Sequence, residues 1–243
     1  MPKTRWTISP PRRVYRNAIA WRPRAFVELR LLKGNRGTEW LPQIDAQAIY
    51  FQLRHKESNG HSSPMRIQRV LVFVDESNVV SSVRALGRKL DWLKLRDHLA
   101  NTDRGRELIE MVVYAGLPPP MPEWQSEREK KNKFLHWLRS NGFLVVAKDG
   151  SPGDGKHYRA NVDVLMAIDA VELSIEMRPQ AVVLVTGDAD FAHLALQLRR
   201  RGIRVEVAAT AQTLGTGLKD AANEVIDLVP LFKTFELMNT GDQ

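Results

Sequence analysis

From Val70 onward, apolar residues fall in short runs, each about one strand long and each followed by a polar-faced stretch with helical spacing. "VLVFVD" (Val70–Asp75) is continuously apolar up to its final acid, the pattern of a strand buried on both faces. A helical stretch follows, running to about Ala100. "LIEMVVYAG" (Leu108–Gly116) predicts a second strand, closed by the proline-rich "LPPPMPEW". Ser126–Gly142 is an amphipathic helix with Phe134, Leu135 and Leu138 on its apolar stripe, and Asn141-Gly142 ends it. "FLVVAKD" (Phe143–Asp149) is a third strand, Gly150–Asn161 a polar glycine-rich loop, and Val162–Met177 a helix. "AVVLVTG", "DFAHLALQLRRRG" and "IRVEVAA" then give strand, helix and strand, and "VIDLVPLFKTF" closes the pattern. Strands alternating with helices predict an α/β fold with a mainly parallel central sheet of about five strands.

Residues 1–67 do not share this pattern. They contain "SPPRR", "KGNRG" and "KESNGHSSP", all loop-like, with "AFVELRLL" (Ala25–Leu32) as a single strand candidate. They are expected to form a basic, poorly structured extension, with the folded domain at 68–232 and a tail at 233–243. A natural start at Met65 would leave the first 64 residues as an upstream addition. Three tryptophans (Trp6, Trp21, Trp40) argue against pure disorder.

Charge sharpens that division. The chain of 243 residues carries a net +8. The first 67 residues hold thirteen Lys and Arg against four Asp and Glu, so all of the excess lies there. Such a segment is either an arm that binds nucleic acid or a solvated tail without a partner. Cysteine is absent, which excludes disulfides and cysteine-ligated zinc and makes a reducing cytoplasm the simplest location. No apolar run approaches the roughly 20 residues that span a bilayer, so no membrane association is expected.

The chemistry concentrates where the strands end. In open α/β sheets, ligands bind beyond the carboxyl ends of the strands. "DESN" follows the first strand and supplies Asp75 and Asn78; "TGDAD" follows the fourth and supplies Thr186, Asp188 and Asp190. Asp163 and Asp169 lie in "NVDVLMAID", at the start of and within a helix. Each acid has a plain alternative. Asp75 could cap the helix after it, Asp190 the helix near Phe191 and Asp163 the helix near Val164, each cap contributing about 1 kcal/mol. Asp163 and Asp169 are six residues apart, about 240° around a helix, and share no face if both are helical. Gathered at one edge, four or five carboxylates would repel and raise one another's pKa. A divalent cation removes that cost, and oxygen-only ligands suit Mg²⁺ or Mn²⁺. The histidines show no HExxH spacing, and neither GxGxxG nor GxxxxGK[ST] occurs, so zinc-protease and nucleotide-cofactor readings have no support.

"FVDESN", "RANVDVLMAIDAVEL" and "VLVTGDADFAHLALQLRRRGIRVEV", in that order, resemble the NYN domain in its LabA-like bacterial branch, a group of PIN-like ribonucleases. The resemblance covers about residues 68–232. It implies a PIN-like three-layer α/β/α fold and a metal-dependent endoribonuclease with Mg²⁺ or Mn²⁺. It assigns Asp75, Asp163, Asp188 and Asp190 to the metal site, with Asp169 as a further member. Asn78 and Thr186 fill the polar helper positions, Asn78 beside the catalytic acids and Thr186 toward substrate. Lys156 and Arg159 would hold the RNA backbone. Arg159 stands where the pattern usually has Lys, which keeps a phosphate contact but not a proton-transfer role. The expected partner is RNA, single-stranded, and a homodimer is compatible. Two alternatives stay open: an RNA-binding or regulatory module that keeps the acids without turnover, and a response-regulator receiver, which lacks a GDxD after its fourth strand.

Overall fold

The computed structural model describes residues 67–153 and 158–238. The basic extension up to residue 66, Lys156 and the last five residues lie outside the described residues.

The strands are β1 (Gln68–Asp75), β2 (Arg106–Leu117), β3 (Leu144–Asp149), the two-residue pair β4 (Ser151–Pro152) and β5 (Tyr158–Arg159), then β6 (Ala181–Val185), β7 (Arg204–Ala209) and β8 (Glu224–Asp227). The helices are α1 (Glu76–Arg84), α2 (Trp92–Leu99), α3 (Gln125–Ser140), α4 (Asp163–Met177), α5 (Ala192–Arg199), α6 (Thr216–Ala221) and α7 (Val229–Phe232). Six strands make one sheet in the order β3-β2-β1-β6-β7-β8, and every neighbouring pair is parallel.

Strand periodicity sends alternate side chains to opposite faces. Val70, Val72 and Val74 of β1 pack with Val79 and Val83 of α1, Leu95 of α2 and Leu135 and Leu138 of α3. Leu71 and Phe73 pack with Met166 and Ala170 of α4 and Leu194 and Leu198 of α5. This is the three-layer α/β/α arrangement expected from the sequence. Among the described residues no helix is long and apolar enough to cross a membrane.

Three details differ from the sequence expectation. The helical stretch after β1 is two helices. Gly87, at φ +67, turns the chain out of α1, and the Asp91 carboxylate starts α2 by accepting from the Lys94 N–H at 3.0 Å. The sheet has a sixth strand, because β8 is a four-residue, mostly exposed edge strand with no apolar run to announce it. The glycine-rich loop contains the antiparallel pair β4–β5.

The strand order fixes the site. From β1 the chain steps outward to β2 and β3, then returns to β1's other edge as β6 and continues to β7 and β8. The order therefore reverses between β1 and β6, and the crevice beyond their carboxyl ends is where such sheets bind ligands. In the dinucleotide-binding version of this order the first turn is glycine-rich; here it is Asp75-Glu76-Ser77-Asn78.

Candidate active site

The two strands at the reversal are tied together by side chains. Asp75 ends β1 and is 4% exposed. Its Oδ1 accepts from the Asn78 N–H at 3.1 Å and the Ser77 hydroxyl at 2.8 Å, so it caps α1. Its Oδ2 accepts from the Thr186 hydroxyl at 3.3 Å. That hydroxyl in turn accepts from the Asp188 N–H at 3.2 Å. Asn78 Oδ1 accepts from the Gly187 N–H at 3.0 Å, bracing the β6 turn against α1. A Cβ on Gly187 would stand 2.2 Å from the Thr213 carbonyl oxygen, so only glycine fits this turn.

Asp188 caps the helical turn Ala189–Phe191, its Oδ1 accepting from the Asp190 N–H at 2.9 Å. The cap that the sequence offered to Asp190 thus belongs to Asp188. Asp190 is exposed, and its carboxylate has no hydrogen bond or ion pair with a described residue. Nor does Asp163 cap α4. It is the first helical residue, with Val162 already helical ahead of it. Although Asp163 reaches solvent, partial burial pushes its carboxyl above the ordinary value, and the like charges of Asp75, Asp188 and Asp190 push it further. The charges of the other three carboxylates are therefore felt at Asp163.

Asp169 is placed differently. Its Oδ2 accepts from the Tyr114 hydroxyl at 2.9 Å. Tyr114 is fully buried on β2 and is the register partner of Asp75. Burial, followed by Asp169, holds the Tyr114 phenol well above its ordinary pKa, so it stays a donor. Both Asp163 and Asp169 are helical, and the six-residue spacing separates them as the helical geometry requires.

Thr186, expected to meet substrate, is 1% exposed with its hydroxyl engaged on both sides. Arg159 is exposed on β5 and makes no side-chain hydrogen bond or ion pair with a described residue. Three neighbours were not singled out from the sequence. Glu76 and Lys131 of α3 form a 2.7 Å ion pair with largely buried side chains. Lys148 Nζ donates to the Asn161 carbonyl at 3.2 Å, two residues before Asp163. In the sequence, Glu76 reads as a first-turn helix acid and Lys131 as part of the solvated run "REKKNK", so their pairing across distant segments leaves no local signal.

The candidate donors are all carboxylate oxygens, which suit Mg²⁺ or Mn²⁺ better than Zn²⁺. A cation's charge would offset the repulsion felt at Asp163. Among the described residues, however, no three His, Asp or Glu side chains are gathered closely enough to hold an ion as they stand. Asp75 and Asp188 each direct an oxygen at backbone N–H groups instead.

Comparison with known proteins decides the family. The model of the NYN domain matches residues 69–229. The chain belongs to the NYN domain family. Among relatives, this NYN chain is 27% identical over 169 residues to the "Low amplitude and bright protein LabA" of Synechococcus elongatus, covering 67% of this chain and 85% of that one. Among solved structures it is similar to VPA0982 of Vibrio parahaemolyticus, a protein of unknown function. The TM-score is 0.54 at 23% identity, over 70% of this chain and 96% of that one, a likeness of fold. The NYN family is a PIN-like nuclease family, in keeping with an acid-lined crevice at the sheet reversal.

Proposed function

We propose that this NYN chain is a metal-dependent endoribonuclease acting on single-stranded RNA. The observation that supports this most is the Asp163 carboxyl, raised by partial burial and then by the charges of Asp75, Asp188 and Asp190. Structural caps do not need a fourth unpartnered acid beside them. Asp75, Asp163, Asp188 and Asp190 would hold Mg²⁺ or Mn²⁺, which when bound supplies charge to a phosphate and an activated water. Asp169 is left out of this set because Tyr114 occupies its Oδ2. Asn78 and Thr186 act by position. Their bonds to Gly187 N–H, Asp75 and Asp188 N–H keep the two strand ends at a fixed separation. Arg159 would contact the RNA backbone, with Lys156 in the same role.

One observation favours a second reading, an RNA-binding module without turnover: Asp75 and Asp188 are both engaged as caps. The test is cleavage of a single-stranded RNA in Mn²⁺ and in EDTA, with wild type and Asp163→Asn. Cleavage that needs both Mn²⁺ and Asp163 supports the nuclease. RNA binding without cleavage under all conditions overturns it in favour of the module.

A further inference from the structure

A cavity of about 700 Å³ opens between α1 and α3, just past the end of β2, and Glu76, the residue after Asp75, is part of its wall. That volume lies in the roughly 300–1,000 Å³ range of small-ligand pockets. Four aromatic residues and five Lys or Arg line it, against two Glu. Lys131 is committed to Glu76 and Arg88 to the Phe235 carbonyl at 2.8 Å. Arg84 and Lys130 are exposed and make no hydrogen bond or ion pair with a described residue.

The aromatic wall is held in place by the fold. Tyr158 and Trp124 meet edge to face with centroids 5.5 Å apart. The Tyr158 hydroxyl donates to the Gly116 carbonyl at 3.2 Å. Its ring lies over Gly150, where a Cβ would stand 2.4 Å from Tyr158 Cδ2. A Cβ on Gly116 would stand 2.9 Å from Ala160 Cβ and 3.4 Å from the Tyr158 ring. Two positions at the ends of β2 and β3 thus carry no side chain where this ring and its flank are seated. Glu76 lies near enough for its charge to add to burial in raising the Tyr158 phenol pKa, which places the aromatic wall beside the Asp75 strand end.

We propose that this cavity is a base-binding subsite. It takes one nucleotide of a single-stranded RNA, the base against Trp124 and Tyr158 and the flanking phosphates on Arg84 and Lys130. The proposal rests on the nuclease reading above and adds the strand's path to it. An apolar peptide would use the aromatics but not the excess of cations. An acidic peptide would use the cations but not the aromatics. Planar faces joined by phosphates use both, and a base is free to enter only from an unpaired strand.

The test is binding of the full chain, in EDTA, to a fluorescein-labelled oligouridylate and to the same ribose-phosphate chain without bases, read by anisotropy. Removing the bases is expected to weaken wild-type binding about tenfold. Trp124→Ala should bind the two chains equally. Lys130→Glu should weaken both and lower the salt dependence of binding. Thermal melting checks that each variant is folded, and Lys130→Glu, at an exposed position, supplies a second reading if Trp124→Ala unfolds. Equal binding of the two chains by wild type overturns the subsite. So does unchanged binding in Lys130→Glu, or displacement of the RNA by polyglutamate at equal charge concentration, which would point to an acidic protein partner. Because no metal is present, these outcomes do not depend on cleavage. A base-dependent result with no cleavage in Mn²⁺ would sink the nuclease reading and leave the subsite standing.

Discussion

Asp75 and Asp163 are the same residue type at the same edge of the sheet, in opposite circumstances. Asp75 is buried and accepts from three donors. Asp163 is exposed, has no hydrogen bond or ion pair with a described residue, and faces three like charges. Asp75, Asn78, Thr186, Gly187 and the backbone of Asp188 form a floor that joins β1 to β6. Asp163 and Asp190 form a rim above it. The difference separates two jobs that a motif merges. The floor gives the site its shape, and the rim gives it unsatisfied charge.

Breaking the floor should remove both properties. Gly187→Ala drives a Cβ into the Thr213 carbonyl. Overpacking against backbone costs about 3 kcal/mol or more, which for a domain of this size lowers Tm by roughly 6–12 °C. Differential scanning calorimetry checks this, and activity should fall with the fold. An unchanged Tm would show that the turn can move.

Breaking the rim should remove activity alone. Asp163→Asn is expected to lower Mn²⁺-dependent cleavage at least about 100-fold, the upper end of what losing even an outer-shell partner of a metal site costs. Stability should stay level or rise. The sign follows from linkage. Partial burial, followed by the neighbouring acids, raises the folded pKa of Asp163 above its ordinary value, so ionising it costs the folded state stability. That cost is absent below the unfolded pKa and complete above the folded one. Any advantage of the Asn variant should therefore appear in melts near pH 7 and vanish near about pH 3. A variant less stable at neutral pH would assign Asp163 to the floor.

Asp75→Ala tests the same contrast from the other side. It removes a cap, worth about 1 kcal/mol, and leaves the buried Thr186 hydroxyl without its acceptor, about 1 kcal/mol more. A loss of about 2 kcal/mol in urea denaturation is expected. The smallest effect is expected at Tyr114→Phe. Asp169 loses one donor, costing about 1 kcal/mol, and cleavage should change less than about twofold. A large activity loss there would return Asp169 to the metal-site set.

The parts legible in the sequence are those decided by local pattern. β1 and β6 could be read because strands covered on both faces are continuously apolar, and the acids at their ends could be read because the apolar run stops there. β8 could not, since a short edge strand needs no apolar run. The split between α1 and α2 turned on one positive φ at Gly87, which a helical pattern does not reveal. At the site, sequence supplied which acids stand at the edge but not their division between floor and rim. That division depends on which donors the other strand brings, such as the Thr186 hydroxyl for Asp75 and the Tyr114 hydroxyl for Asp169. The Glu76–Lys131 pair is invisible for the same reason.

The reversal of strand order also governs when the site comes into being. The bond between Thr186 and Asp75 spans 111 positions of chain, and β6 pairs with β1 only after β2, β3 and α4 have been made. Closing so long a loop is entropically expensive and slow compared with local helix formation. A growing polypeptide that has not yet released β6 from the ribosome carries Asp75 but neither Thr186 to hold it nor Asp188 beside it. On the nuclease reading proposed above, a centre completed only by the last-made half of the chain would stay inert toward the message being translated until synthesis of the sheet is nearly done.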